Sequence, residues 1–292
     1  MRNHLLTLAI AVIMCWLLVQ ATLPKINEFL PEHVAKESAF DRVMRSQALH
    51  CGYGVWAPIM IKDANTGAMS GIFYDYMDAM GKSLNLKIQW TEVSWSDFAA
   101  DLASGKIDAM CAGIWPTGTK SRAMDFTAPI YYVAIHTFAR ADDTRFDHAL
   151  DKINSKDITI ASMDGEISNI IASADFKDAK LLSLPSNASQ PQILLNVATG
   201  KADVTFQDAA TGQDFMNANP GKVKMVPGGE FIRTFGNTIA VAKGQDELKD
   251  MLNTASAELL QSGVVDGIIK KYEKYPGSFY RVAKPYQPPE IK

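Results

Sequence analysis

Ala103-Ser104-Gly105-Lys106-Ile107-Asp108 leads into the apolar run Ala109-Met110-Cys111-Ala112-Gly113, and Ala198-Thr199-Gly200-Lys201-Ala202-Asp203 leads into Val204-Thr205-Phe206-Gln207-Asp208. Each phrase closes a segment with helical spacing, and its glycine can adopt the left-handed angles that end a helix. Each apolar run that follows has the length of a buried strand. Helix, glycine stop and buried strand make one αβ step of a parallel sheet. Because the step occurs twice, the chain is expected to form two similar α/β lobes with a working cleft between them.

The chain length of 292 residues suits two lobes. A formal net charge of −3 gives no support to nucleic-acid binding, which needs a concentrated basic face. Leu5 to Val19 is apolar apart from Thr7, follows Arg2 and is followed by Gln20-Ala21. That is the layout of a secretory signal over 1–21, cleaved after Ala21. An uncleaved inner-membrane anchor over 5–19 is the alternative, although the run is short for a span. On both readings the folded part is exported to the periplasm. Cys15 lies in this segment and lacks the small residue a lipoprotein signal places before its cysteine. Cys51 and Cys111 fall on predicted buried strands. Export permits a disulfide, but adjacent strands rarely offer the geometry, so two thiols are expected.

Residues 22–46 read as a stem with a short helix capped by Ser38. A strand runs from Ala48 to Gly54. Phe73, Tyr76, Met77, Met80 and Leu84 share one helical face, and Leu86, Ile88 and Trp90 alternate as a half-buried strand. Ser96 is expected to cap the helix ending at Gly105, and Ser189 to start the helix before the second repeat. Leu248, Met251, Leu252, Ala255, Leu259 and Leu260 mark a long final helix. Order is expected to end at Pro276-Gly277.

Further residues combine in a specific order: Trp56-Ala57-Pro58 after the first strand, Gly71, Trp95, the first repeat, Ala123-Met124-Asp125-Phe126-Thr127-Ala128-Pro129-Ile130-Tyr131, Gly200 to Asp203 with Asp208, and the ending Leu259 to Tyr275. From about Leu49 to Tyr275 the chain resembles the family 3 solute-binding proteins of ABC transporters, whose usual cargo is polar amino acids. The resemblance implies an α/β fold like the type II periplasmic binding proteins, with two doubly wound lobes joined by a two-strand hinge. It implies lobe 1 at 47–138, lobe 2 at 139–235, a return to lobe 1 at 236–278 and an extended tail at 279–292. The crossings are expected near Thr137 to Ala141 and Phe231 to Asn237. Ligands of open α/β sheets sit beyond the carboxyl ends of the strands, and two such ends facing across a hinge make a cleft that can close.

The same resemblance implies the site. An arginine that commonly clamps the ligand carboxylate falls on Lys120, which keeps the charge but loses the planar two-point grip; Arg122 could substitute only if the loop bends differently. A second anion grip, a turn at a helix start, falls on Gly165 and Glu166. Glu166 could fill the helix start itself and repel a ligand carboxylate, but the plainer expectation is an outward first-turn acid. Asp208 matches the acid that pairs with a ligand ammonium, and it could also cap the following helix. Trp56 and Trp95 fall where the family places rings that sandwich the side chain. Trp115 and Tyr53 depart from the family pattern, standing where it has a small hydroxyl residue and an often polar or acidic one, and are expected as further rings of the cleft beside Gly113, while Trp90 reads as core. Aromatic faces hold cations, so these residues point to a ligand with a positive or flat apolar part.

The function expected is therefore non-enzymatic capture of a small amino acid or amine in the interlobe cleft for uptake through an ABC transporter permease. The protein would work as a monomer without cofactor, metal or nucleic acid. The alternatives are a periplasmic cyclohexadienyl dehydratase-like enzyme and a membrane-tethered ligand sensor. Gly113 to Lys120 superficially resembles a phosphate loop but lacks the Gly-Lys-Ser/Thr ending. No nucleophile-elbow, zinc-protease or paired-cysteine metal pattern occurs in the sequence.

Overall fold

The computed structural model describes residues 12–19, 37–186, 188–228 and 231–282. Residues 12–19 are helical and exposed, and among the described residues no helix is long and apolar enough to cross a membrane. The expected cleavage point at Ala21 and the stem before residue 37 lie outside the described residues.

From Ser38 onward the strands are β1 (Ala48–Tyr53), β2 (Ile61–Lys62), β3 (Met69–Ser70), β4 (Lys87–Glu92), β5 (Ala109–Ile114), β6 (Met124–Phe126), β7 (Tyr131–Arg140), β8 (Thr159–Met163), β9 (Lys180–Leu184), β10 (Val204–Asp208), β11 (Val223–Met225), β12 (Arg233–Ala242) and β13 (Tyr280–Arg281). The helices are α1 (Ala39–Ser46), α2 (Ile72–Leu84), α3 (Phe98–Ser104), α4 (Ile167–Asp175), α5 (Gln190–Ala198), α6 (Ala209–Ala218), α7 (Asp246–Gln261) and α8 (Val264–Tyr272). The main sheet runs β4-β1-β5-β12-β7-β10-β8-β9. In the first half β4, β1 and β5 are parallel and β12 closes antiparallel on β5. In the second half β9, β8 and β10 are parallel and β7 closes antiparallel on β10.

The two halves meet through the long strands β7 and β12. They pair antiparallel over Tyr131–Ile135 and Arg233–Asn237. Beyond that stretch β12 joins β5, and β7 joins β10 through Ala139. The β12 pairing lies within the expected crossing. The β7 pairing comes earlier than Thr137 to Ala141, because Thr137 to Ala139 already face β10.

The repeated phrase performs one task in both halves. Gly105 caps α3 at φ 81° and Gly200 follows α5 at φ 73°. The backbone N–H of Asp108 donates to His50 O at 2.8 Å and its carboxylate accepts the His50 N–H at 2.9 Å. Asp203 does the same with Thr159, at 2.8 Å in each direction. Each aspartate also holds an arginine, Arg42 at 2.8 Å for Asp108 and Arg145 at 2.6 Å for Asp203. The phrase thus clamps the start of each new strand to its parallel neighbour.

Several local expectations change. Cys51 and Cys111 are disulfide-bonded, not free thiols: on the neighbouring strands β1 and β5 their Cα atoms lie 5.5 Å apart, inside the range a disulfide spans. Asp97, not Ser96, precedes α3, and the Ser94 hydroxyl accepts the Asp97 N–H at 3.1 Å. Order does not end at Pro276-Gly277. Phe279 is buried with its ring edge-on to Tyr131, so Tyr280 and Arg281 add to β7 as β13. The tail beyond residue 282 lies outside the described residues.

Candidate functional site

A cavity of about 660 Å³ opens where the strand ends of the two halves face each other. That volume suits a small ligand. Of the nine residues expected at a site, Trp56, Trp95, Gly113, Trp115, Lys120, Gly165 and Glu166 line it. The first five come from loops and strand ends of the first half, the last two from the turn between β8 and α4. Tyr53 and Asp208 are not among the lining residues.

The tryptophans form a connected wall. Trp56 stands edge-on to Trp115 at 5.0 Å and to Trp95 at 6.5 Å. Trp115 stacks on Phe235 at 5.2 Å with planes 18° apart, and its Nε1 donates to Asn237 Oδ1 at 3.0 Å. Asn237 is fully buried in β12 opposite Tyr131. A side chain on the pairing strands therefore fixes the rotamer of a cavity wall. Sequence reasoning missed both Phe235 and Asn237. They lie more than a hundred residues beyond Trp115, and no local pattern links them to it.

Lys120 sits in a short 3₁₀ turn, half-buried, with its Nζ 3.4 Å from Trp115 O. Burial pushes its pKa down, and the Glu166 carboxylate pushes it back up. Arg122 is exposed and does not line the cavity, so the turn offers the lysine alone.

Glu166 is not an outward first-turn acid. It is the N-cap of α4, and its Oε2 accepts the Ser168 N–H at 2.8 Å as well as the Ser168 hydroxyl. Ile167 N–H and the Gln190 side chain also favour the ionised carboxylate. Burial outweighs these contacts and raises its pKa. The reason for the inward turn is local: Gly165 at φ 76° swings the chain so that the side chain of Glu166 folds back over the orphan N–H groups of the helix.

Tyr53 lies in the core, 5% exposed, edge-on to Trp90, with its hydroxyl donating to Glu92 at 3.2 Å. Its contacts are with Trp90 and Glu92 of the neighbouring strand β4, not with the cavity. Trp90 stacks on Tyr74 at 5.6 Å and packs against the core. Asp208 caps α6, accepting the Thr211 N–H at 3.0 Å and the Thr211 hydroxyl at 2.7 Å. Thr211, not Asp208, reaches the cavity wall.

The family model of the bacterial extracellular solute-binding proteins, family 3, matches residues 49–275. The chain belongs to that family. This solute-binding protein is 25% identical over 224 residues to a probable histidine-binding protein of Neisseria gonorrhoeae, covering 74% of this chain and 79% of the relative. It is 24% identical to the histidine-binding periplasmic protein of Salmonella typhimurium, covering 74% and 84% respectively. Its fold matches the crystal structure of the ancestral amino acid-binding protein AncCDT-1, a precursor of cyclohexadienyl dehydratase, with a TM-score of 0.70 and 22% identity over 82% of this chain and 100% of that one. The two-lobed architecture is that of the type II periplasmic binding proteins.

Asp208 lends itself to a test that separates capping from charge. Burial raises its pKa above the ordinary 3.8. A carboxyl whose folded pKa is raised favours the fold below its unfolded pKa and loses that contribution as pH rises through the folded value. Asn caps a helix as well as Asp and does not titrate. Asp208→Asn should therefore gain stability relative to the parent between pH 4 and pH 7, read by urea melts. Asp208→Ala, which loses the cap, should fall below Asp208→Asn by about 1 kcal/mol at both pH values.

Proposed function

We propose that this solute-binding protein captures a small amine or amino acid between its lobes and releases it unchanged to an ABC transporter permease. The observation that carries the reading is the tryptophan wall of Trp56, Trp95 and Trp115 on a cavity lined by both halves of the sheet. Such rings grip a cationic group with about 0.5–2 kcal/mol each. Gly113, Lys120, Gly165 and Glu166 complete the contact set, and Asp208 acts through Thr211 as a positioning residue. The lobes divide as 47–138 with 236–278 and 139–235, and the protein works outside the cytoplasm as a monomer.

A thermal-shift screen of amino acids, amines and quaternary ammonium compounds tests this reading. A solute at a hundred times its Kd should stabilise the native state by about 2.7 kcal/mol. Trp115→Ala should fold and bind the same solute roughly 10- to 30-fold more weakly, the loss of one desolvated ring contact. Absence of any stabilising solute, or consumption of a cyclohexadienyl acid by the purified protein, would overturn the reading.

A further inference from the structure

A carboxylate already occupies the place where a ligand's carboxylate would be received. The N-terminus of α4 presents free N–H groups and the positive end of the helix dipole, the ordinary seat for an anion. Here the Oε2 of Glu166 takes the Ser168 N–H at 2.8 Å and the Ser168 hydroxyl. The helix start is therefore met by a group the protein supplies. Lys120 lines the same cavity from the other half, its Nζ 3.4 Å from Trp115 O.

The remaining polar lining favours a donor. Among the described lining residues the one cation, Lys120, is set against Asp164, Glu166 and Asp214, of which Asp214 is paired with Lys274 at 2.6 Å. Gln190 also lines the cavity, and its buried Oε1 has no hydrogen-bond partner. With its amide group supporting the Glu166 carboxylate, that oxygen is left as an acceptor without a donor. An unpaired buried acceptor is costly and is relieved by a ligand N–H.

We infer that Glu166 is a specificity-determining residue that replaces the ligand's α-carboxylate, so that the cavity takes cationic amines lacking a carboxylate and rejects the matching amino acids. A free amino acid would bring a second carboxylate to a seat already filled, at a cost in repulsion and in an unmet anion. An amine brings only the cation, which the tryptophan faces and the acidic balance of the lining attract. This inference rests on the proposed capture of small solutes in the same cavity.

Calorimetric titration of the full chain with three matched pairs, tryptamine and tryptophan, histamine and histidine, agmatine and arginine, tests it. Wild-type protein should bind the amine of at least one pair about 100-fold more tightly than its amino acid. Glu166→Ser keeps a side-chain cap for α4 and empties the seat, so this ratio should fall at least tenfold. Glu166→Gln, which keeps the size and removes the charge, should shift the ratio in the same direction. A wild-type preference for the amino acid in every pair that binds, or an unchanged ratio in folded Glu166→Ser, would overturn the inference and leave the solute-binding reading intact. Binding of none of the six compounds by any of the three proteins would overturn the inference; the underlying reading falls only if the broader thermal-shift screen also finds no stabilising solute.

Discussion

Cys51→Ala with Cys111→Ala is expected to lower the stability of the folded unit by about 4 kcal/mol. The bond spans a sequence separation of 60 residues, and closing a loop of that size removes about that much chain entropy from the unfolded state. For a domain of this length 1 kcal/mol moves the midpoint by about 2–4 °C, so the melting temperature should drop by the order of 10 °C. Reductant should produce the same fall in the wild-type protein and none in the double variant. The consequence reaches the site because β5, which carries Cys111, runs directly into Gly113 and Trp115 of the cavity wall. Melts in which the double variant and the wild type coincide would show that the cross-link contributes nothing.

Gly212→Ala is expected to cost about 3 kcal/mol, against the ordinary sense of a glycine-to-alanine change in a helix. Helix propensity alone predicts a gain of up to about 1 kcal/mol. Packing decides otherwise: a Cβ on Gly212 would lie 1.9 Å from Cζ and 2.2 Å from Cε1 of Phe138. Phe138 is fully buried in β7, so neither partner has room to yield, and overpacking of that kind costs about 1–3 kcal/mol or more. Gly267 in α8 is the control, because a Cβ there meets nothing within 4 Å; Gly267→Ala should follow propensity and stabilise. Displacement of α6 would also move Thr211 and Phe215 at the cavity wall, so Gly212→Ala should weaken solute binding as well. Chemical denaturation and a binding titration on the two variants check both statements.

The candidate site is legible where one residue meets the cavity through its own strand end or loop. Trp56, Trp95 and Trp115 follow segments whose strand or helix character is written locally, and each lines the cavity. Lys120 and Gly165 stand out by their place in a family pattern, and both line it too. Tyr53 lies away from the cavity because its partners, Trp90 and Glu92, belong to β4, a strand whose pairing with β1 no local window contains. A first-turn acid is expected to point outward, whereas Gly165 turns the chain enough for the Glu166 carboxylate to cap the helix. Phe235 and Asn237 left no signal, since their partner Trp115 belongs to a distant segment.

By itself, the sequence determined the repeated helix, glycine and strand unit, the order of the elements and the family. These depend on hydrophobic period, cap chemistry and turn residues, all set by neighbours within a few positions. Only the tertiary structure decided the bonding of Cys51 to Cys111, the pairing of β7 with β12 and the support of Trp115 by Asn237. Each of those joins groups far apart along the chain, and distance in space is fixed by the register of strands and the packing of side chains, which no local window contains.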